Sequence, residues 1–293
     1  MCIRNGGIIN AYQLAARIAA GDHFQDLTRP TKALATNHLF RIWRDGGSVL
    51  LKVYGTPARE RRESHALEAL NGRPGIPVKL DGVGTEDESW ALFQDPGQWS
   101  LASLPENPEA ARRSGAVLQS LHASDASNVS NLSRGMDAEW VDIDHAATMR
   151  RLARYRRRVG IDAELYADVA AVAPPEASDP LPAHTDPTPD HFVVDDEGAI
   201  TLIDWEWATL APPEWDLSKA AWLLGSQAGP AAAEALQQGY GRILSPIQLN
   251  RWIVYHAAMG LVFEAEQRMS DHGVDAYAQT VADLRSAAMI ANP

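Results

Sequence analysis

The stretch HTDPTPDHFVVDDEGAITLID, residues 184–204, decides the fold of this chain. It contains two strand-like runs, Phe192–Val194 and Ile200–Ile203, separated by an acidic turn that ends in glycine. Runs of this kind around a short polar turn are typical of a β-hairpin. We therefore predict a hairpin that begins and ends beside polar residues.

Three chemically capable side chains flank the predicted hairpin. Asp186 and His191 precede its first strand, and Asp204 follows its second strand. Because the two open ends of a hairpin lie side by side, we expect the three side chains at one end of a small sheet. Carboxylate and imidazole groups in this arrangement are typical of a divalent metal site beside a catalytic base.

The spacing of these residues matches a known catalytic loop. Asp186 precedes His191 by five positions, the interval between the base and the metal-binding Asn of a kinase. The stretch resembles the catalytic core of the aminoglycoside phosphotransferase family, kinase-like enzymes that phosphorylate antibiotics and small metabolites. Thr185 stands where the family usually has glycine, and His191 where it usually has asparagine. The Asp190–His191 pair resembles the loop of the 2''-aminoglycoside and macrolide kinases.

The resemblance implies a role for each residue. Asp186 would be the catalytic base, which accepts the proton of an acceptor hydroxyl. Asp204 and His191 would bind Mg²⁺, and Mn²⁺ relatively better than in relatives with asparagine, because imidazole is the softer ligand. Glu206 would add an acid on the substrate side, and Asp216 would anchor the catalytic loop.

The length and composition of the chain agree with such an enzyme. A chain of 293 residues exceeds the usual size of one hydrophobic core, so two lobes are expected. The resemblance implies an α+β, two-lobed protein-kinase-like fold. It would have a small, mainly β N-terminal nucleotide-binding lobe (residues 1–95) and a larger, mainly helical catalytic and substrate-binding lobe (residues 96–293).

The net charge, the apolar runs and the cysteine content limit the partners and the cellular location that we expect. The net charge of −12 argues against nucleic acid as a partner, because phosphate binding needs clustered Lys and Arg. No run approaches the roughly 20 apolar residues of a membrane span, so we expect no membrane partner. The single cysteine, Cys2, cannot form an internal disulfide. A cytoplasmic location is expected.

A second hairpin is predicted at 39–43 and 48–54, and its second strand carries Lys52. Lys52 is either an edge-strand lysine whose ammonium reaches water or, as the resemblance implies, the lysine that contacts the nucleotide phosphates. A kinase lysine needs a carboxylate on the next helix, predicted over 57–71. The family pattern selects Glu63, with Leu67 and Leu70 facing inward on the same helix.

Glu60 and Glu68 on this helix are expected to be solvated surface charges.

Two further segments are assigned to nucleotide binding. Residues 33–38, where a glycine-rich loop is expected, contain no glycine, and Asn37 is either a loop-fixing residue or part of a simple turn. The run at 90–94 is a short strand. In the kinase-like fold it would be the hinge, whose main-chain groups around Phe93 and Asp95 would contact the purine.

The remaining chain is predicted to be mainly helical. Helices are expected over 8–20, 107–123, a substrate-side insert at 137–172, and then 217–227, 230–243, 246–270 and 273–291, with a Ser- and Asn-rich loop at 124–135. The insert carries a run of arginines between 150 and 158, which is either a solvated helix face or an anion contact.

The predicted function is transfer of the γ-phosphoryl group of ATP or GTP to a hydroxyl of a small molecule. The expected acceptor is an antibiotic of aminoglycoside, macrolide or nucleoside type, and the activity would confer resistance or self-protection. A kinase of a primary metabolite, such as an amino alcohol or sugar, is the alternative within the same class. A nucleotide-binding pseudokinase or regulatory module is the alternative outside it.

Overall fold

The computed structural model describes residues 6–28, 37–85, 87–104, 107–124, 143–267 and 277–292. Its N-terminal part is organised around one antiparallel sheet with the strand order β1-β2-β3-β5-β4. The strands are β1 (Phe24–Asp26), β2 (His38–Arg44), β3 (Gly47–Val53), β4 (Lys79–Gly84) and β5 (Ser89–Gln94). The predicted hairpin around 39–54 is confirmed as β2 and β3.

Helices cover both faces of this sheet. Successive side chains of a strand point to opposite faces, so neighbouring residues of one strand pack against different helices. Leu51 of β3 packs in a buried cluster with Ala15 of α1 (Gly6–Ala19). Leu50 packs in a different cluster with Leu67 of α2 (Pro57–Ala69). Lys52 shares the face of Leu50, and the alternation therefore directs its side chain toward α2.

The C-terminal part consists mainly of helices with short strands between them. The helices are α3 (Pro108–His122), α4 (His145–Tyr155), α5 (Ala163–Ala171), α6 (Pro213–Ala228), α7 (Pro230–Tyr240), α8 (Pro246–Gln267) and α9 (Ala278–Ala291). The strands are β6 (Trp99–Ser100), β7 (Leu181–Ala183), β8 (Phe192–Val194), β9 (Ile200–Leu202) and β10 (Thr209–Ala211). Helices α2, α3, α6, α7 and α8 begin with proline, whose fixed φ and missing N–H suit a first helical position.

The hairpin predicted at 192–203 is confirmed as β8 and β9, which pair in antiparallel register, with β6 on the outer side of β8. Strands β7 and β10 pair separately and bring the chain before the catalytic loop next to the chain after it. The insert predicted over 137–172 consists of α4 and α5 where the structure describes it, and Gly160 with φ of 81° lies between them. Most of the loop expected at 124–135 lies outside the described residues.

The described helical part contains three buried clusters. One joins α3, α6 and α7 to β8 and β9, a second joins α4 and α5 to α8 and α9, and a third joins β7 and β10 to α6 and α8. In the described part of the chain, no helix is both long and apolar enough to cross a membrane.

Helices α3 and α7 approach each other closely at a pair of glycines. A Cβ added to Gly115 of α3 would collide with the main chain of Leu236 and Tyr240 in α7, and one added to Gly239 of α7 would collide with the main chain of Arg112. Glycine is needed at both positions because nothing but hydrogen fits between the two backbones.

The contact predicts the effect of adding one methyl group. Gly115→Ala should lower the free energy of unfolding by about 1–3 kcal/mol, because the helices must move apart to admit the Cβ. Gly260→Ala in α8 is the matched control, since a Cβ there meets no heavy atom within 4 Å. The control should be neutral or stabilising by up to about 1 kcal/mol. Urea denaturation of both variants measures the difference, and equal midpoints would contradict the close approach.

Candidate active site

The structure brings Asp186, His191 and Asp204 together at one end of the β8–β9 hairpin. The Nδ1 atom of His191 lies 2.7 Å from the carbonyl oxygen of Asp186, and its Nε2 atom lies 3.4 Å from Oδ2 of Asp204. A carbonyl oxygen only accepts hydrogen bonds, so Nδ1 carries the proton in the neutral ring. The lone pair of Nε2 is then directed to the side where Asp204 lies.

The loop before Asp186 is held by Asp216 of α6, as predicted. The main-chain N–H groups of His184 and Thr185 donate to its two carboxylate oxygens at 2.7 and 2.8 Å. Nε2 of His122 lies 3.2 Å from Oδ2. Burial would raise the pKa of Asp216, but the hydrogen bond from His122 and the neighbouring charges lower it below its usual value. Asp216 is therefore an ionised, fully buried anchor.

Thr185 adopts a backbone conformation that side chains usually avoid. Its φ is 66°, in the left-handed region, which explains why a glycine suits this position. The threonine hydroxyl donates to the carbonyl oxygen of Trp207 at 2.7 Å, and the indole N–H of Trp215 donates to the carbonyl oxygen of Thr185 at 2.9 Å. These bonds, with the one to Asp216, offset a strain of roughly 1–2 kcal/mol.

His184 links this loop to the strand that precedes Asp204. Its Nε2 atom lies 2.9 Å from the carbonyl oxygen of Ile203, and the N–H of Asp186 donates to its Nδ1 atom at 3.3 Å. Burial, followed by the nearby His191, lowers the pKa of His184, so the ring is neutral at neutral pH. His184 therefore supports the loop through hydrogen bonds.

Lys52 projects from β3 into a cluster of carboxylates. Its Nζ atom lies 2.6 Å from Oε2 of Glu63, contacts Oδ1 of Asp204, and lies 3.9 Å from Oε2 of Glu206. Burial would lower the pKa of Lys52, but Asp204, Glu63 and Glu206 together raise it above its usual value. Lys52 is therefore charged, and the surface-lysine alternative does not describe it.

Glu63 is the buried partner of Lys52 on α2, as the sequence pattern predicted. Besides Lys52, its carboxylate accepts hydrogen bonds from the hydroxyl of Tyr54 at 2.7 Å and from the N–H of Trp205 at 3.0 Å. The expectation that Glu60 is solvated was wrong. Glu60 is buried and pairs with Lys79 at 2.8 Å, because α2 packs against β4 on that side.

Glu206 does not line the acceptor side as expected. It is buried and accepts hydrogen bonds from Nδ2 of Asn37 at 2.8 Å and Nη1 of Arg59 at 2.7 Å. Burial, partly opposed by Lys52, raises its pKa. Oδ1 of Asn37 also accepts from the N–H of Gly55 at 3.2 Å, so Asn37 fixes the chain before β2. Residues 33–36 of the expected phosphate loop lie outside the described residues.

Phe93 and Asp95 lie at the end of β5, where a hinge was expected. Phe93 is buried and pairs with Leu50 of β3. The carboxylate of Asp95 forms an ion pair with Arg41 at 2.7 Å and accepts from the hydroxyl of Ser48 at 2.6 Å. The side chain of Asp95 thus fixes the end of the β2–β3 hairpin, and any nucleotide contact here would involve main-chain groups.

A cavity of about 380 Å³ has Asp186 in its lining, and Lys52 is not among the described lining residues. Its described lining is rich in aromatic residues, namely Trp207, Trp215, Trp222, Phe263 and Tyr277. The charged side chains among the described lining residues are Asp186, Lys219 and Glu264. His256 also lines the cavity, and burial followed by the charge of Lys219 lowers its pKa to about 3, so it is neutral. The cavity is therefore mainly apolar.

Sequence analysis missed Lys219, which contacts Asp186 directly. Nζ of Lys219 lies 2.7 Å from Oδ1 of Asp186. Burial would raise the pKa of Asp186, but Lys219 and then His191 lower it, so this carboxylate is ionised at neutral pH. The available signal in the sequence was a lone lysine three residues after Asp216, directly before the apolar run 220–224 of the same predicted helix.

Solved structures of phosphotransferases share this fold. A thermostable mutant of aminoglycoside phosphotransferase APH(4)-Ia, in a ternary complex with ADP and hygromycin B, aligns with a TM-score of 0.68 over 96% of this chain and 98% of that chain, at 12% identity. The macrolide 2'-phosphotransferase MphH from Brachybacterium faecium aligns with a TM-score of 0.60 over 97% and 98%, at 20% identity. A choline/ethanolamine kinase family protein from Mesorhizobium loti aligns with a TM-score of 0.61 over 97% and 95%, at 17% identity.

These similarities define the class of the fold, which is kinase-like with a mainly β N-terminal and a helical C-terminal region. The model of the APH family, described as the phosphotransferase enzyme family, matches residues 28–252, and the chain belongs to this family. No curated protein matches the sequence. The predicted family and fold are thus confirmed.

The strain at Thr185 predicts effects of different size for two substitutions. Thr185→Val keeps the branched shape but removes the hydroxyl that donates to Trp207, and it should cost about 1–2 kcal/mol of unfolding free energy. Thr185→Gly removes the same hydrogen bond but also relieves the left-handed strain, so its net effect should stay within about 1 kcal/mol. Denaturation midpoints measure both, and a Gly variant less stable than the Val variant would contradict the strain.

Proposed function

We propose that this chain is a small-molecule O-phosphotransferase that transfers the γ-phosphoryl group of a nucleoside triphosphate to an alcohol. One observation carries the proposal. Asp186 lines the aromatic cavity and is also connected, through His191, to Asp204, which contacts Lys52. A carboxylate between an acceptor-sized cavity and a cationic phosphate-binding group is what phosphoryl transfer to a hydroxyl requires.

The reaction follows from these positions. Lys52, fixed by Glu63, would bind the phosphates of the nucleotide. Asp186 would accept the proton of the acceptor hydroxyl as its oxygen bonds to the γ-phosphorus. The bond from the γ-phosphorus to the bridging oxygen then breaks, and the nucleoside diphosphate leaves with the bonding electrons. Because the pKa of Asp186 is lowered, the base is in its reactive form at neutral pH.

Asp204 and His191 are suited to hold a divalent cation. The hydrogen bond from Nδ1 to the carbonyl of Asp186 orients the ring and leaves Nε2 as the ligand atom. The described residues contain no cluster of three or more potential ligands, so a cation held by Asp204 and His191 would take its remaining ligands from phosphate oxygens and water, as Mg²⁺ usually does. When bound, the cation would neutralise phosphate charge. ATP is the expected donor, because related structures contain ADP, and GTP remains a candidate.

The cavity lining favours an acceptor with an apolar or sugar-ring face. Aromatic side chains bind such faces by burial and stacking. An aminoglycoside carries several ammonium groups and would need several carboxylates, whereas Glu264 is the one acid besides Asp186 among the described lining residues. Within the class of antibiotics, we therefore propose a macrolide- or nucleoside-type acceptor before a polycationic aminoglycoside. Its modification would give resistance or self-protection.

An amino alcohol is the second candidate acceptor, and the same lining supports it. The faces of tryptophan and tyrosine bind quaternary ammonium groups, and Glu264 would add a matching charge. A related fold occurs in the choline/ethanolamine kinase family protein. A regulatory nucleotide-binding module is the remaining alternative. The charged Lys52–Glu63 pair and ionised Asp186 argue against it.

Phosphoryl transfer should depend on Asp186. Wild-type protein with Mg²⁺ and either ATP or GTP should phosphorylate a macrolide, nucleoside or amino alcohol in a panel that also includes aminoglycosides. Asp186→Asn should lower kcat by roughly 10²-fold or more, because the base is lost. Asp196→Asn is the matched control, since Asp196 is exposed in the turn of the same hairpin and should retain full activity.

The panel separates the alternatives. Product from an aminoglycoside but from no neutral acceptor would overturn the proposed acceptor class while keeping the reaction. Nucleotide binding without product from any acceptor, and without metal-dependent hydrolysis that Asp204→Ala abolishes, would establish a regulatory binder instead.

His191 should set the metal preference. His191→Asn replaces a nitrogen ligand by an amide oxygen, which Mg²⁺ prefers. We expect the ratio of activity with Mn²⁺ to activity with Mg²⁺ to fall several-fold in the variant, in titrations of each metal at saturating nucleotide. An unchanged ratio would mean that His191 does not bind the cation.

A further inference from the structure

Lys219 lies where the loop, the cavity and α6 meet. Its ammonium donates to Oδ1 of Asp186 at 2.7 Å and to the carbonyl oxygen of Thr185 at 3.4 Å. Its side chain is 22% exposed, while that of Asp186 is 33% exposed, and both border the cavity. The lysine therefore holds one oxygen of a carboxylate whose remaining surface faces the cavity.

The two oxygens of Asp186 differ in their surroundings. Oδ1 accepts from Lys219, whereas Oδ2 accepts no hydrogen bond from any residue in the described ranges. A carboxylate without a partner on either oxygen could rotate about its χ angles and present either one. The single bond from Lys219 removes that freedom and leaves Oδ2 for a hydroxyl in the cavity.

We propose that Lys219 is a positioning residue that holds Asp186 by Oδ1 and thereby directs Oδ2 toward the acceptor hydroxyl. This inference rests on the proposed function. During transfer the hydroxyl proton moves to Oδ2 and the acceptor oxygen bonds to the γ-phosphorus. The bond from the γ-phosphorus to the bridging oxygen breaks, and the nucleoside diphosphate leaves with its electrons, while Lys219 keeps its proton and its bond to Oδ1. Lys219 acts through Asp186 and not on the phosphate.

The position of Lys219 on α6 supports this role. Residues three apart lie on the same face of a helix, so Asp216 and Lys219 both reach the catalytic loop. Asp216 fixes the loop main chain at His184 and Thr185, and Lys219 fixes the side chain that follows. Helix α6 thus fixes both the main chain of the loop and the orientation of the Asp186 carboxylate.

A purely structural lysine would be placed differently. Lys79 provides the comparison within the chain, since it pairs with Glu60 at 2.8 Å away from the aromatic cavity. Lys219 instead places a partly exposed ammonium in the wall of a cavity that is otherwise lined mainly by apolar and aromatic side chains. Its charge there is explained by the carboxylate that it holds.

The test compares Lys219→Met with Lys219→Arg, using the acceptor that wild-type protein phosphorylates. Lys219→Met should lower kcat by roughly 10–10²-fold, because a misdirected base transfers the proton less well. The KM for nucleotide should stay within about twofold, because Lys52 and Asp204 are untouched. Lys219→Arg should recover at least about a tenth of wild-type kcat, since a guanidinium also donates to a carboxylate. Gln227→Ala, at an exposed position of α6, is the control for the helix.

A double variant shows whether Lys219 acts through Asp186. In the Asp186→Asn background, Lys219→Met should cause less than about a twofold further loss, because the group that it positions is already gone. A full additional loss, or unchanged kcat in Lys219→Met alone, would overturn the proposal. The proposal would also be overturned if Lys219→Met and Lys219→Arg both lowered kcat and both lost the same free energy of unfolding, because a structural role alone would then explain the result.

Failure of the proposed function is recognisable separately. If wild-type protein phosphorylates no acceptor, the phosphotransferase assignment fails, and the contact is tested by unfolding alone. Denaturation midpoints of Lys219→Met, Asp186→Asn and the double variant should then be non-additive. Additive midpoints would show that Lys219 does not hold Asp186.

Discussion

The buried carboxylate of Glu63 is the interaction on which the rest of the site depends. It accepts hydrogen bonds from Lys52 and Tyr54 of the sheet region and from the main chain of Trp205, which follows Asp204. A buried carboxylate is tolerated only when its oxygens are satisfied, and removing one partner of such a pair typically costs about 3–5 kcal/mol. The N-terminal sheet, α2 and the end of the catalytic hairpin are therefore fixed relative to one another by one side chain.

Local patterns predicted the parts of the fold that local forces decide. Alternating apolar residues around polar turns gave both hairpins, and proline at the first helical position together with inward-facing Leu67 and Leu70 gave α2. The contacts that depend on tertiary packing could not be predicted from local sequence patterns. Glu60 is buried because β4 brings Lys79 to it, and Glu206 turns toward Asn37 and Arg59 across more than 140 residues of sequence. Lys219 was missed for the same reason, since its partner Asp186 is a neighbour in space only.

The cavity and the surroundings of Lys52 differ in the kind of side chains that build them. Around Lys52, charges of both signs are buried together and each is paired. Around the cavity, indole and phenyl faces dominate and few charges are present among the described residues. Under the proposed function, charge would fix where phosphate binds, whereas the shape and apolar area of the cavity would decide what is phosphorylated. A family that keeps the first region can therefore change its acceptor by substituting the second without disturbing the chemistry.

The left-handed conformation of Thr185 has a consequence for how such a loop can evolve. A chain with glycine at this position tolerates the conformation whatever surrounds it. Threonine is acceptable only once a carbonyl such as that of Trp207 is already in reach of its hydroxyl. The substitution from glycine to threonine is thus conditional on earlier changes elsewhere, while the reverse substitution is open at any time. The order of mutations, and not the threonine alone, determines whether this version of the loop is accessible.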